Sequence, residues 1–319
     1  MNETVDIHLI SDAPLGVFLS GGIDSSALVA LASDKREKPL TTLSIVFDEE
    51  EYSELPYQRM IAEKYKTHHI EMKVTGKEFY DEIDNIFEAM DQPTVDGVNT
   101  YFVSRAAKRA GLKAVLSGIG GDEVFCGYDS FRKIGLLKKI HGFPGILRFP
   151  FSFANNLSSS WNKLSYLKND GPLSLYLTLR GLFIPKDVAK ILDISESEVT
   201  NVLKGVQLKT TNSELLTLES VDWFSFMEIS FYLKNQLLKD TDFMSMYHSV
   251  ETRVPFLDHV LVDYLTSVDP ALKIDKNIPK PLLIKSLNHS FKVTLNQNEL
   301  NKPDKPDKPD KPEDTNVNN

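Results

Sequence analysis

Two short glycine-rich segments carry the residues of this 319-residue chain that are best suited to chemistry. The first lies between a buried apolar run and a helical pattern, and it reads Ser20-Gly21-Gly22-Ile23-Asp24-Ser25-Ser26. Its glycines allow a ligand to approach the backbone closely, while its serines and aspartate supply hydroxyls, a carboxylate and helix-capping groups. The free amides at a helix start attract anions. The segment therefore predicts a phosphate-binding loop.

The second segment follows another apolar run, Ala114–Leu116, and reads Ser117-Gly118-Ile119-Gly120-Gly121-Asp122-Glu123. It adds a second set of glycines and carboxylates. Neither segment is a Walker P-loop or a dinucleotide fingerprint, because GxxxxGK[ST] occurs nowhere and no GxGxxG follows the first strand. The sequence thus predicts a phosphate site of a different class.

The elements that must position these loops alternate between strand and helix. From Leu15 to Gly127, short apolar runs take turns with amphipathic stretches, a pattern typical of a parallel sheet covered by helices. Strands are predicted at 16–19, 42–47, 69–74 and 114–116. We expect an α/β fold with a doubly wound, mostly parallel sheet, helices on both faces, and a helical lobe after it.

Three regions follow from this pattern. Residues 1–130 are predicted to form the nucleotide-binding α/β core, and 131–300 a helical continuation in which strand signals fade and leucine-rich patterns dominate. The segment 301–319 is built on Lys-Pro-Asp repeats. Such a segment has nothing to bury, so we expect it to be disordered.

The composition of the chain disfavours some classes of binding partner. A formal net charge of −9 argues against nucleic acid, whose binders usually present a basic face. The single cysteine, Cys126, excludes a disulfide framework and fits a reducing cytoplasm. No signal peptide or apolar run of about 20 residues is seen, so no membrane association is predicted.

The first loop resembles the pyrophosphate loop of the ATP pyrophosphatase superfamily, whose fold is that of the adenine nucleotide alpha hydrolases. That resemblance implies cleavage of ATP between its α and β phosphates. Taken alone it leaves several members open, among them GMP, NAD and argininosuccinate synthetases and tRNA-thiolating enzymes. Acidity and the lone cysteine disfavour the last of these.

Three further segments resemble the synthetase domain of glutamine-hydrolysing asparagine synthetases. They are Leu116–Tyr128, the run from Asp240 to Asp258, and Lys280-Pro281-Leu282-Leu283. With the first loop, they occur in the family's order between Ile10 and Leu287. The resemblance implies ATP-dependent amide formation through an acyl-adenylate, with asparagine made from aspartate as the default.

The resemblance also implies roles for single residues. Asp24 and Asp122 would hold Mg²⁺ on the pyrophosphate, since a hard cation prefers carboxylate oxygens. Lys280 would be the catalytic lysine that neutralises the leaving pyrophosphate. The expected ATP-binding residues are Leu19, Ser20, Gly21, Gly22, Asp24, Ser25, Ser26, Ile45, Gly118 and Ile119. For Ile45, a plain strand-core role is an equally good interpretation, and Asp122 has helix capping as its alternative.

Two departures from the family shape the functional hypotheses. Isoleucine stands at position 119, where asparagine synthetases carry a glutamate thought to accept a proton. The residues before Ser11 are too few for a glutaminase, so ammonia is expected from solution, from a separate glutaminase subunit, or as another amine. The alternatives are an amide-former acting on a peptide or sugar acid, and a truncated nucleotide-binding protein without turnover.

Overall fold

The computed structural model describes residues 1–34, 38–47, 54–94, 96–142, 162–168, 171–210 and 220–291. The predicted disordered segment, 301–319, lies outside these ranges.

The centre of the molecule is a sheet of five strands, β1 (Leu15–Phe18), β2 (Thr41–Phe47), β3 (His68–Val74), β4 (Ala114–Leu116) and β5 (Glu251–Arg253). The strands lie in the order β3-β2-β1-β4-β5, and all neighbouring pairs are parallel. The predicted parallel α/β sheet is confirmed.

Helices fill the connections between strands and form the rest of the described chain. They are α1 (Asn2–His8), α2 (Ile23–Asp34), α3 (Leu55–Lys64), α4 (Gly76–Ala89), α5 (Gly97–Arg109), α6 (Gly121–Val124), α7 (Ser130–His141), α8 (Pro172–Arg180), α9 (Pro185–Leu192), α10 (Glu196–Thr210), α11 (Ser220–Glu228), α12 (Leu238–Tyr247), α13 (His259–Ser267) and α14 (Pro281–Phe291). A π-helix, Ile229–Leu237, joins α11 to α12, and short 3-10 helices cover Asn162–Lys168, Pro255–Leu257 and Pro270–Leu272. Among the described residues, every helix is too short or too polar to cross a bilayer.

Alternation along the strands divides the core into two layers. Leu15 and Val17 of β1 pack into one apolar cluster with α2, α3, α13 and α14. Leu43 of β2 and Val115 of β4 pack into a second cluster with α4, α5 and α12. Successive side chains of a strand point to opposite faces, so buried apolar side chains at successive positions indicate a strand that is covered on both sides. The helices therefore cover both faces of the sheet, as predicted.

A third apolar cluster lies in the helical part of the chain. It joins the end of the second glycine-rich segment to α7, α8 and α11, and its buried members are Cys126, Phe131, Ile134, Leu167, Leu173, Leu175, Tyr176, Trp223, Phe224 and Met227. Cys126 thus packs mainly against the helical part. Burial raises the pKa of its thiol to about 12, which leaves it unreactive near neutral pH.

The stretch 131–300, predicted to be helical, also supplies β5. This strand has three residues, all polar, and it pairs only with β4 at the edge of the sheet. Arg253 ties the edge to the start of the chain, because its Nη1 donates to the carbonyl oxygens of His8 (2.8 Å) and Ile10 (2.7 Å). A short polar edge strand has no apolar run or alternation by which the sequence could reveal it.

Strand order places the two glycine-rich segments side by side. β1 lies at the centre, with β2 and β3 on one side of it and β4 and β5 on the other. The chain therefore reverses its winding direction between β1 and β4. In open parallel sheets, ligands bind beyond the carboxyl ends of the strands at such a switch point. The first segment follows β1, and the second follows β4.

His248, at the end of α12, gives the fold a pH-dependent stability. The side chain is buried, its ring centroid lies 4.5 Å from that of Tyr101, and its Nε2 lacks a hydrogen-bond partner in the part of the chain that the structure describes. Burial lowers the pKa of His248 to about 4, helped by Lys108, Arg105 and Arg109 and opposed by Glu82.

We expect acid to destabilise the fold through this residue. Between about pH 4 and pH 6.5, His248 binds a proton in the unfolded chain but not in the folded chain. The free energy of unfolding therefore rises with pH in that window. This difference in protonation of His248 should change the free energy of unfolding by roughly 2 kcal/mol. Denaturant unfolding at pH 7 and pH 5 of the natural protein and of His248→Asn measures it. The natural protein should lose more stability than the variant on acidification; an equal loss would refute the assignment.

Candidate active site

The first glycine-rich segment forms a tight loop between β1 and α2. Gly21 has φ of 81°, a left-handed conformation in which an L side chain is strained, and a Cβ there would lie 3.3 Å from the Glu54 carbonyl oxygen. Ser20 and Ser25 close the loop, with 3.0 Å between their hydroxyl oxygens. The amide of Gly22 donates to Ser20 Oγ at 3.3 Å. Serine and glycine are thus needed for the conformation of this loop.

Asp24 lies in the first turn of α2, against the second glycine-rich segment. A Cβ on Gly121 would lie 2.4 Å from Asp24 Cγ, and one on Gly118 would lie 2.9 Å from Asp24 Cβ. Neighbours placed so closely leave no room for a side chain at either position. Gly118 and Gly121 are therefore required by the close approach of Asp24.

Lys280 joins the two segments. It lies just before α14, it is 6% exposed, and its Nζ donates to Asp24 Oδ2. The same Nζ is 2.6 Å from Asp122 Oδ1. The φ angle of Lys280 is 46°, uncommon for a residue other than glycine and often found at functional sites. The predicted catalytic lysine and both predicted metal ligands thus meet at one point, which we call the carboxylate–lysine triad.

Burial and the neighbouring charges have opposite effects on the pKa values of Asp24 and Lys280 in this triad. Burial raises the pKa of Asp24 to about 7, with Lys280 opposing the rise and Asp122 adding to it. Burial would lower the pKa of Lys280, but the two carboxylates outweigh it and raise that pKa. The lysine is therefore held as a cation.

The two carboxylates fit a site for Mg²⁺ that a bound nucleotide would complete. Asp24 Oδ1 is buried and has no hydrogen-bond partner among the described residues, so it is available as a ligand. The described residues include no group of three or more His, Cys, Asp or Glu side chains suited to hold a metal on their own. Mg²⁺ is commonly held by one or two carboxylates together with substrate phosphates.

The other predicted ATP-binding residues lie directly after β1, in α2, within β2 and in the segment after β4. Leu19 is buried, and its amide donates to the Leu43 carbonyl oxygen at 2.8 Å. Ile119 is half-buried in the second loop, and its amide is 3.4 Å from Ser117 Oγ. Ser26 is half-buried in the first turn of α2. Ile45 packs against the second apolar cluster, which accords with its core interpretation.

Sequence reasoning missed two residues that support the first loop. Ser44 of β2 donates its hydroxyl to the carbonyl oxygen of Leu19. Gln58 of α3 is 3% exposed, and its Nε2 lies 3.4 Å from the Ser20 carbonyl oxygen. Both come from elements beside the loop and belong to no short motif, so only the folded structure brings them to it.

Comparison with known proteins decides which family has this arrangement. The profile of the asparagine synthase family matches residues 1–292. The chain belongs to the asparagine synthase family. This confirms the resemblance that the four ordered segments indicate.

Curated relatives in the family are longer than this chain. Asparagine synthetase [glutamine-hydrolyzing] 1 of Bacillus subtilis is 29% identical over 294 residues, which cover 89% of this chain and 45% of that protein. A putative asparagine synthetase [glutamine-hydrolyzing] of Mycobacterium tuberculosis strain H37Rv is also 29% identical, over 90% of this chain and 44% of its own length. Amidase chry2 of Gibberella zeae is 26% identical over 86% of this chain and 46% of its own length. The chain thus spans less than half the length of these relatives.

Proposed function

We propose that this chain catalyses ATP-dependent amide formation through an acyl-adenylate, releasing AMP and pyrophosphate. The observation that carries the proposal is the carboxylate–lysine triad, in which residues from both glycine-rich segments meet at the switch point of the sheet. With Mg²⁺ on its carboxylates, such a site could hold a polyphosphate and balance its charge. Membership of the asparagine synthase family supports the same chemistry.

Each part of the site has a role in this proposal. The amides of the first loop and of the start of α2 bind phosphate oxygens. Lys280 balances the charge that builds up on the departing pyrophosphate, as a preorganised cation in a buried site does best. Asp24 and Asp122 would hold Mg²⁺, which supplies further charge stabilisation when it is bound.

Asparagine made from aspartate and ammonia is the default reaction that we propose, carried out in the cytoplasm. Ammonia would come from solution or from a separate glutaminase subunit. One observation favours a different carboxylate or amine, such as a peptide or a sugar acid: Ile119 stands where the resemblance implies a proton-accepting glutamate.

A screen of carboxylic acids tests the proposal. Purified protein is given ATP, Mg²⁺ and ammonium with one acid at a time, and pyrophosphate is measured. Release that depends on one acid would support the proposal and identify its substrate. ATP binding without pyrophosphate release for any acid would favour a nucleotide-binding protein without turnover.

Replacing Ile119 by glutamate tests the default substrate. If the aspartate site is otherwise intact, Ile119→Glu should raise ammonia-dependent asparagine formation by about a hundredfold, the usual contribution of a placed proton acceptor. Ile119→Gln is the matched control, because glutamine has nearly the shape of glutamate but cannot accept the proton as a carboxylate does. An unchanged rate in the glutamate variant, with ATP still bound, would point to another substrate.

A further inference from the structure

A second group of charged residues, buried or half-buried, lies beside the carboxylate–lysine triad, in the helical part of the chain. Arg180, the last residue of α8, pairs with Glu228, the last residue of α11, with 3.0 Å between Nε and Oε1. The guanidinium carbon of Arg180 lies 4.8 Å from the ring centroid of Tyr128 and 4.2 Å from that of Tyr232. The arginine is thus held by one carboxylate and two aromatic rings.

This group is connected to the triad through the second glycine-rich segment. The Tyr128 hydroxyl donates to Glu123 Oε1 at 2.7 Å, and Glu123 is the neighbour of Asp122 in the chain. Gly127, next to Tyr128, is so close to the triad that a Cβ on it would lie 2.0 Å from Asp122 Oδ1. The group therefore adjoins the place where the adenylate would form.

The backbone that carries the group is unusual. The π-helix Ile229–Leu237 begins directly after Glu228 and carries Tyr232, whose hydroxyl donates to Asp96 Oδ2 at 2.9 Å. Helices of this type are rare, and they are frequent at functional sites. An ordinary buried ion pair needs no such backbone.

The charges in the group do not balance. Arg180 pairs with Glu228, and Glu123 lies near enough to raise the pKa of Glu228, so the group holds two carboxylates and one guanidinium. Glu228 is 0% exposed, and neither of its oxygens has a hydrogen-bond partner of normal geometry among the described residues. Burial raises the pKa of Glu228 to about 7, against Arg180 and the nearby Tyr176 hydroxyl, and with Glu123. Buried carboxylates normally accept several well-aligned hydrogen bonds, so Glu228 has the capacity for a further donor beside Arg180 and Tyr176.

We propose that Glu228 and Glu123, positioned by Arg180 and Tyr128, bind the amine substrate in its ammonium form. This inference rests on the proposed function, because it assigns a subsite for the second reactant. An ammonium group carries the positive charge that the cluster lacks and offers several N–H donors to the carboxylates. Its nitrogen attacks the adenylate only as the neutral amine, so one of the two carboxylates takes up the proton that the ammonium group loses. The carboxylate substrate is disfavoured here, because two carboxylates and one guanidinium leave a net negative charge that would repel an anion.

The test separates binding of the amine from formation of the adenylate. Exchange of labelled pyrophosphate into ATP, with the accepted acid and no amine, measures adenylate formation. Amide formation at increasing ammonium chloride gives the KM for ammonium. Glu228→Gln keeps the shape and removes the charge, so we expect the KM for ammonium to rise about tenfold or more, with exchange within about twofold of the natural protein.

A matched control uses another buried ion pair of the helical part. Lys273 Nζ lies 2.6 Å from Asp222 Oδ1, and Lys273 is as buried as Lys280. Asp222→Asn should leave the KM for ammonium unchanged. Glu123→Gln, which can still accept from Tyr128, provides a second variant in case Glu228→Gln does not fold, and it should raise the same KM.

Two outcomes would overturn the subsite, and they are distinguishable. If the natural protein shows exchange and both glutamine variants keep its KM for ammonium, the subsite is wrong while the proposed function stands. If the natural protein shows no exchange with any acid, the proposed function fails, and the subsite fails with it. A parallel loss of exchange and of amide formation in the variants would indicate a role in folding only, and would also contradict the subsite.

Discussion

Replacing Asp24 by alanine is expected to lower pyrophosphate release by about a hundredfold or more. Asp24 is half-buried beside the second glycine-rich segment and is paired with Lys280, and its buried Oδ1 has no hydrogen-bond partner among the described residues. Without this carboxylate, a metal ion would lose a ligand, and Lys280 would lose the contact that orients it. The effect should appear in the rate at saturating ATP, because charge stabilisation is greatest as pyrophosphate departs.

Asp34→Ala is the matched control for this prediction. Asp34 is exposed at the other end of α2, so its removal takes an acidic residue from the same helix without touching the site. Thermal unfolding of both variants shows whether the fold is kept. Near-natural activity of a folded Asp24→Ala protein would contradict the assignment of the first loop.

Replacing Gly127 by alanine should also lower activity strongly, by about tenfold or more, through a single added methyl group. A Cβ at this position would lie 2.0 Å from Asp122 Oδ1 and 2.2 Å from Lys280 Cε, so both side chains must move apart. The backbone of Gly127 is outside the left-handed region, and both atoms belong to the ends of flexible side chains. The fold should therefore survive while the triad is displaced.

Gly135→Ala provides the comparison, because a Cβ on Gly135, in α7, has no atom within 4 Å. That variant should keep full activity. Pyrophosphate release and thermal unfolding measured on both proteins give the result. Equal activity of the two alanine variants would mean that the contact between Asp122 and Lys280 is not required.

The positions of the two glycine-rich segments could be predicted from sequence, but their meeting could not. Apolar runs mark β1 and β4, and the structure confirms β4 at Ala114–Leu116. Local pattern contains no information on sheet order, however, and it is the pairing of β1 with β4 that places Asp24 against Gly121. Only the resemblance to a family suggested that these segments act together.

Other parts of the structure have no local sequence pattern that would reveal them. β5 is three polar residues, and its place in the sheet depends on contacts with β4 and with the start of the chain. Arg180 and Glu228 are single charged residues at the ends of helices that are distant in sequence. Charged residues at such positions usually face solvent, whereas contacts between α8 and α11 bury Glu228 fully and Arg180 partly.

The proposed formation of an acyl-adenylate is tested most directly by identifying the products of ATP cleavage. The purified protein is incubated with ATP, Mg²⁺, ammonium and the acid identified by the screen, and ³¹P NMR follows the phosphorus-containing products. Cleavage between the α and β phosphates predicts AMP and pyrophosphate in equal amounts, formed only when the acid is present and lost in Asp24→Ala. Formation of ADP and inorganic phosphate, or of pyrophosphate without dependence on any acid, would contradict the account.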